Sequence, residues 1–216
     1  RLVAAEGFGY RSLEEGLPFT PDTVMPLASL SKSFTAVAVM QLVDAGRLRL
    51  DEPVGTYLPA FRVKDQAAGR RITVRMLLCH QSGLGRSGHM DDYWKEDESI
   101  YQSRLEMAAA LTDYELQSQP GEVYSYSNEG YVICGALVDA LSDLALERHL
   151  EARVLVPAGM TGSRTHAQDW RSAADRARGY ILDPEGKYKP AHIMQNPTVG
   201  LPAGLVCSTA NDLGRY

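Results

Sequence analysis

Apolar residues recur at helical spacing through the middle of this chain, and shorter strand-like runs stand near its ends. Across residues 29–45, Leu30, Phe34 and Val37 share one helical face, and Ala36, Val39, Met40 and Val43 widen the stripe. So broad a stripe predicts a helix buried on most sides. Gly46 stands where a glycine closes such a helix. Residues 129–141 predict a second apolar helix and residues 144–155 a third. Shorter helices are expected over 74–80, with Thr73 as N-cap and Ser82-Gly83 as the stop, and over 105–111, where Ser103 and Glu106 have capping-box spacing. Residues 2–10 read as a strand with Gly7 and Gly9 near its end. Two further strands, 179–182 and 187–192, flank Asp183-Pro-Glu-Gly186, whose residues suit a hairpin turn. Pro18 and Pro21, the proline-punctuated stretch 51–59, the polar stretch 85–100 and Pro120-Gly121 read as connectors. Strand, many helices, then strand predicts an α+β or α/β fold.

Composition narrows the classes. The chain has 216 residues, enough for a sizeable core, and its net charge of −5 does not suggest a nucleic-acid partner. No apolar stretch is long enough to span a bilayer. There is no signal-peptide pattern, and compartment stays open. The chain begins like the middle of a strand and ends like a helix cut short, which predicts a piece of a longer protein. Cys79, Cys134 and Cys207 have neither zinc nor disulfide spacing and are expected to be buried free thiols.

The candidate chemistry starts at Ala28-Ser-Leu-Ser-Lys-Ser-Phe-Thr35. Ser29 and Lys32, three apart on a helix, share a face. A serine hydroxyl becomes nucleophilic when a base takes its proton, and burial can lower a lysine enough to be that base. A helix N-terminus would also favour negative charge there. Against this, roughly one Ser-x-x-Lys is expected by chance in such a chain, and Ser29 also reads as an ordinary N-cap. Ser31 and Ser33 read as surface or capping hydroxyls. Tyr124-Ser-Tyr-Ser-Asn-Glu-Gly-Tyr131 precedes the second apolar helix, with Ser127 or Asn128 as its N-cap. A phenol such as that of Tyr126, held beside a buried ammonium, can also exchange protons, and the Asn128 amide can bind a carbonyl.

Ser29-Leu-Ser-Lys32 followed about a hundred residues later by Tyr126-Ser-Asn128 resembles the serine β-lactamase and penicillin-binding-protein superfamily. The likeness is to its class C-like branch of AmpC-type β-lactamases, D-Ala-D-Ala carboxypeptidases, D-aminopeptidases and β-lactamase-like esterases. It extends through "PDTVMPLASLSKSFTAVAVMQLVDAGRLRLDEPVGTYLP", "ITVRMLLCHQSGL", "PGEVYSYSNEGYVICGALV", "LVPAGM" and "PAGLVCSTANDLGRY". It implies an α+β, β-lactamase/transpeptidase-like fold, with an antiparallel sheet flanked by helices and a mostly helical subdomain. One domain over 1–216 is expected, incomplete at both ends, with about 1–28 and 178–216 on the sheet side and 29–177 mainly helical.

The resemblance implies that Ser29 forms an acyl-enzyme with an amide, β-lactam or ester. Lys32 and Tyr126 would share the proton transfers, and Asn128 would orient a small-molecule or peptide substrate. The Ser29 backbone N–H would be half of an oxyanion hole. No metal or organic cofactor is implied. His89-Met-Asp-Asp92 lacks ligand spacing, and Asp91, Asp92, Glu96, Asp97 and Glu98 read as a solvated loop. His149 reads as a surface or interhelical residue, His166 and His192 have no partner visible in sequence, and Trp94 and Trp170 could line a substrate cleft but read first as packing residues. The family's third motif, Lys-Thr-Gly or His-x-Gly, is not found, and His80-Gln-Ser-Gly83 reads as a helix-end turn. The alternative is therefore a noncatalytic penicillin-recognition or scaffold fragment. A second chain completing the sheet would be a partner.

Overall fold

The computed structural model describes residues 3–85, 101–191 and 199–216. Its helices are α1 (Ser31–Asp44), α2 (Val54–Tyr57), α3 (Gln66–Gly69), α4 (Val74–Leu78), α5 (Arg104–Ala109), α6 (Asn128–Leu141), α7 (Leu146–Leu150), α8 (Ala167–Ser172) and α9 (Ala210–Leu213). Its strands are β1 (Tyr10–Ser12), β2 (Leu17–Pro18), β3 (Met25–Pro26), β4 (Tyr180–Leu182), β5 (Tyr188–Pro190) and β6 (Cys207–Ser208). They form three antiparallel pairs, β1–β2, β3–β6 and β4–β5. The architecture is α+β.

The core is built on α1 and α6. Phe34, Ala38, Val39 and Leu42 of α1 pack in one cluster with Val132, Ile133, Ala136 and Leu137 of α6 and Leu146 and Leu150 of α7. Helix α6 is buried continuously over 129–138, as its unbroken apolar run predicts. The face of α1 differs from the one its apolar spacing predicts. Leu30 is 61% and Met40 39% exposed, whereas Ser31, Lys32 and Thr35 are buried. The reason is hydrogen bonding to a chain segment brought in from residues 201–206. Ser31 Oγ accepts from Val206 N–H at 3.0 Å, and Thr35 Oγ1 donates to Pro202 O at 2.9 Å. Bonded polar groups can be buried at little cost. Ser33 stays exposed, with its hydroxyl on Leu30 O at 2.9 Å.

The local signals for helix ends are realised. Thr73 caps α4, Ser103 caps α5 and Ser127 caps α6, accepting from Met76, Glu106 and Gly130 N–H respectively. Glu106 reaches back to Gln102 N–H at 2.7 Å, one residue earlier than a capping box places it. Gly46 takes φ +68° after α1. The 183–186 turn closes β4–β5, where Asp183 Oδ1 accepts from Glu185 and Lys187 N–H and Gly186 takes φ +76°.

Four expectations change. The strand expected over 2–10 does not form at 3–8, and pairing begins at Tyr10. A strand forms only where a second backbone edge takes its N–H and C=O groups. Residues 144–155 are not one α-helix: α7 ends at Leu150 and a π-helical turn, Glu151–Leu155, continues it. The helix expected over 208–216 is confined to α9, and Ser208 instead joins Cys207 in β6 against β3, with Pro26 opposite Cys207. Cys134 and Cys207 are buried free thiols, and burial pushes the Cys207 thiol up to about 12. Cys79 is exposed, because it lies just past the end of α4.

Arg104, 3% exposed, ties α5 to α6 and α7. Its guanidinium donates to both oxygens of Asp139 (2.6 and 2.9 Å) and of Glu147 (2.7 and 2.9 Å). Burial opposes its charge, and the two carboxylates more than offset that, holding it above its usual range. His149, fully buried, bridges Gln41 Oε1 on α1 and Ser142 Oγ after α6, both at 2.8 Å. It is thus interhelical rather than a surface residue. Among the described residues, no helix is long and apolar enough to cross a membrane.

Candidate active site

Ser29 lies in the 3-10 turn Ala28–Leu30, between β3 and α1. The preceding Ala28 has φ +47°, a left-handed conformation that costs an L-residue roughly 1–2 kcal/mol. The bend is held from both sides: Leu27 N–H donates to Val206 O at 2.8 Å, and Leu30 N–H to Leu27 O at 3.2 Å. It leaves Ser29 exposed while Lys32, one helical turn on, is 6% exposed. Helix α1 has no side-chain N-cap, so the reading of Ser29 as an ordinary cap is not realised.

The four residues singled out in the sequence meet here. Tyr126 Oη lies 2.6 Å from Ser29 Oγ. Lys32 Nζ lies 2.6 Å from Ala203 O, 2.8 Å from Asn128 Oδ1 and 3.4 Å from Ser29 Oγ. Nζ also sits 4.8 Å from the Tyr126 ring centroid and 5.6 Å from that of Tyr131. Because Ser127 takes the cap of α6, Asn128 is free to reach Lys32, which settles the choice of cap the sequence left open.

The lysine contacts dictate its chemistry. A lysine nitrogen offers only protons to a carbonyl, so the Asn128 amide must present its oxygen to Nζ, and its NH₂ is left for another acceptor. A neutral amine has two hydrogens and one lone pair. In that state its two hydrogens would go to Ala203 O and Asn128 Oδ1, and the lone pair would be left for the third neighbour, Ser29 Oγ. Burial lowers the Lys32 amine below its ordinary 10.5, against the opposing pull of Tyr126 and Glu129. An amine in that state can accept a proton from the serine; the 3.4 Å separation is long, as such contacts often are without substrate.

Three contributors are not assigned from sequence. Ala203 belongs to the "PAGL" stretch, which carries no side-chain chemistry, and only its carbonyl acts. His80 reads simply as part of a helix-end turn, yet its ring stacks on Tyr126 with centroids 4.5 Å apart. Tyr131, whose hydroxyl donates to Leu78 O at 3.0 Å, walls Lys32 from the α6 side.

Gly135 of α6 sets the position of the turn that carries Ala203. A Cβ there would lie 2.4 Å from Pro202 Cγ and 2.9 Å from Arg104 Cδ. The proline ring cannot swing aside, so Gly135→Ala should push the 201–205 turn off Lys32. The expected result is a loss of about 1–3 kcal/mol of stability with slower covalent labelling of Ser29, read by thermal melting and a serine-directed probe. Unchanged melting and labelling would show that the turn is not seated by this contact.

Elsewhere, Glu151, His166 and Asp169 bring one ligand atom each within 4.8 Å of one another. The Glu151 carboxylate is already engaged by Thr165 (2.8 Å), His166 (3.0 Å) and Arg148 (2.7 Å), which accounts for the group without a metal. A cavity of about 530 Å³ lined by Pro53, Phe61, Arg62 and Arg70 contains none of the four site residues. His89, Asp91, Asp92, Trp94, Glu96, Asp97, Glu98 and His192 lie outside the described residues, and Trp170 lies on α8.

The family model for Beta-lactamase matches residues 1–216. Penicillin-binding protein 4 of Amycolatopsis lactamdurans is 33% identical over 205 residues, covering 93% of this chain and 51% of the relative. The octameric penicillin-binding protein homologue from Pyrococcus abyssi has a TM-score of 0.84 at 32% identity, covering 100% of this chain and 49% of that one. The D-amino acid amidase from Ochrobactrum anthropi, solved with L-phenylalanine amide, has a TM-score of 0.77 at 26% identity, covering 96% of this chain and 58% of that one. The chain thus spans about half the length of the relatives it matches.

Proposed function

The chain belongs to the Beta-lactamase family, and on that premise we propose that it is a serine hydrolase that forms an acyl-enzyme on Ser29 with amide, β-lactam or ester substrates. One observation carries the reading. An exposed serine oxygen stands 2.6 Å from a phenol and 3.4 Å from a buried amine whose two other directions are taken by carbonyl oxygens.

In this reading Lys32 Nζ takes the Ser29 proton as Oγ bonds to the substrate carbonyl carbon. The resulting oxyanion is met by the Ser29 backbone N–H, and the Asn128 NH₂ holds another substrate carbonyl. Tyr126 passes the proton to the leaving nitrogen or oxygen as its bond to the carbonyl carbon breaks. Water then attacks the ester on Ser29, with the same groups returning the proton. Small molecules and peptides both suit an exposed nucleophile. The two relatives called penicillin-binding proteins and the D-amino acid amidase keep lactam and amide substrates foremost.

The test is intact mass spectrometry with a fluorophosphonate probe, which reports serine activation without presuming a substrate. One adduct mapping to Ser29 is expected. A chain that gains no adduct would favour the noncatalytic recognition or scaffold reading, and labelling only with a second chain present would mean that the site is completed in trans. Tyr126→Phe should slow labelling on the order of 10²-fold, the usual worth of one positioned proton-transfer group. An unaltered rate in Tyr126→Phe would remove the phenol from the proton path.

A further inference from the structure

We infer that His80 is a positioning residue, whose carbonyl and imidazole grip the backbone on either side of Tyr126 and whose ring face seats the phenol against Ser29. The grip has three points. His80 O accepts from Ser125 N–H at 2.7 Å, His80 Nδ1 accepts from Ser127 N–H at 3.0 Å, and the imidazole stacks on the intervening Tyr126 ring at 4.5 Å with 30° between the planes. His80 has φ +57°, one of two described non-glycine residues with a positive φ, the other being Ala28 beside the serine. That backbone turn presents the carbonyl and the side chain of one residue to the same three-residue segment. Such a conformation persists where its surroundings hold it.

The hydrogen bonds define the state of the ring. A backbone N–H can only donate, so Nδ1 must carry a lone pair, and the imidazole is neutral with its proton on Nε2. A second proton could go only to Nδ1 and would break the bond to Ser127. Among the described residues, the titratable groups facing the ring are Lys32 from α1, Tyr131 from α6, and Tyr124 and Tyr126 from the gripped segment. Burial, then the nearby Lys32 charge, holds His80 below its ordinary 6.5. The sign follows: the grip is fully present above 6.5 and is lost as pH falls through the lower folded value. Acid would therefore release Tyr126 and Asn128 together, since Ser127 is also the cap of α6.

The effect on rate rests on the serine-hydrolase reading; the grip itself does not. The first test is therefore an NMR titration of the ¹⁵N-labelled wild-type chain from pH 8 to 4.5. We expect an unprotonated Nδ1 at pH 8, a His80 midpoint below 6.5, and a Ser127 amide shift with the same midpoint. A protonated Nδ1 at pH 8, or a Ser127 amide indifferent to the His80 titration, would overturn the inference whether or not Ser29 reacts. The second test is the rate of fluorophosphonate labelling. His80→Ala should slow it tenfold or more. His80→Asn, which accepts a positive φ and offers Oδ1 to Ser127 N–H, should restore most of the rate and lack the acid limb set by the imidazole. Wild-type labelling in His80→Ala, or a His80→Asn as slow as His80→Ala, would also overturn it. If neither chain gains an adduct, it is the serine-hydrolase reading that fails, and the titration alone decides the grip.

Discussion

Lys32→Met should leave Ser29 nearly unreactive, with labelling slowed on the order of 10³–10⁴-fold, the upper range for loss of a positioned base. Methionine keeps the apolar stem and removes the nitrogen. Among the described residues, the serine then retains the Tyr126 hydroxyl at 2.6 Å. The cost to folding should be modest, about 1–3 kcal/mol, because Ala203 O loses its donor while Asn128 can turn its amide. Lys32→Arg separates charge from basicity. A guanidinium keeps the positive charge and cannot act as a base, so it should be as inactive as methionine. If Lys32→Arg instead reacts like the wild type, the lysine serves as a fixed charge and the proton goes elsewhere, with Tyr126 the first candidate. Ser29→Ala, measured alongside, should gain no adduct at all. In the wild type, labelling should rise with pH through the Lys32 titration, whose midpoint lies below 10.5 because burial disfavours the ammonium. Lys32→Met should lose that limb.

The largest effect on stability is expected at Arg104. Arg104→Ala leaves the carboxylates of Asp139 and Glu147 facing each other without a cation in a nearly dry site, at 15% and 11% side-chain exposure. Breaking a buried ion pair from one side costs ~3–5 kcal/mol, which for a chain of this size lowers the melting temperature on the order of 10 °C. Most of that is the cost of the stranded negative charge. Arg104→Met combined with Asp139→Asn and Glu147→Gln should therefore recover part of the loss. The amide oxygen introduced by Asp139→Asn could still accept the Leu146 N–H that Asp139 Oδ1 holds at 2.8 Å. Should the triple variant melt below Arg104→Ala, the penalty is lost packing against α6 rather than charge. The two effects meet at Gly135, where the Arg104 stem and Pro202 crowd the same spot on α6.

Much of the helical frame is legible in the sequence because its signals are local. Thr73, Ser103 and Ser127 cap through bonds that reach three residues, and Gly46 and Gly186 take positive φ for reasons internal to their turns. The strands are less legible. A ladder needs a distant partner, so residues 3–8 read as strand without forming one, and Ser208 pairs although it reads as helix. The buried face of α1 is hidden from the sequence for a related reason. Ser31, Lys32 and Thr35 read as polar surface or site residues, and each is buried by bonds to a segment about 170 residues away.

What the sequence determined by itself is which groups are on offer: a serine three residues before a lysine, and a tyrosine two before an asparagine, in surroundings that resemble one family. It also determined the two long apolar helices that make the core. Only the tertiary structure decided that these four side chains meet, that two carbonyl oxygens accept from the Lys32 nitrogen within reach of the serine, and that His80 holds the tyrosine's segment. Sequence records which groups are available. Proton transfer depends on angstroms and on exclusion of water, and both arise only when residues from α1, α6, the turn after α4 and the 201–205 turn are folded onto one another.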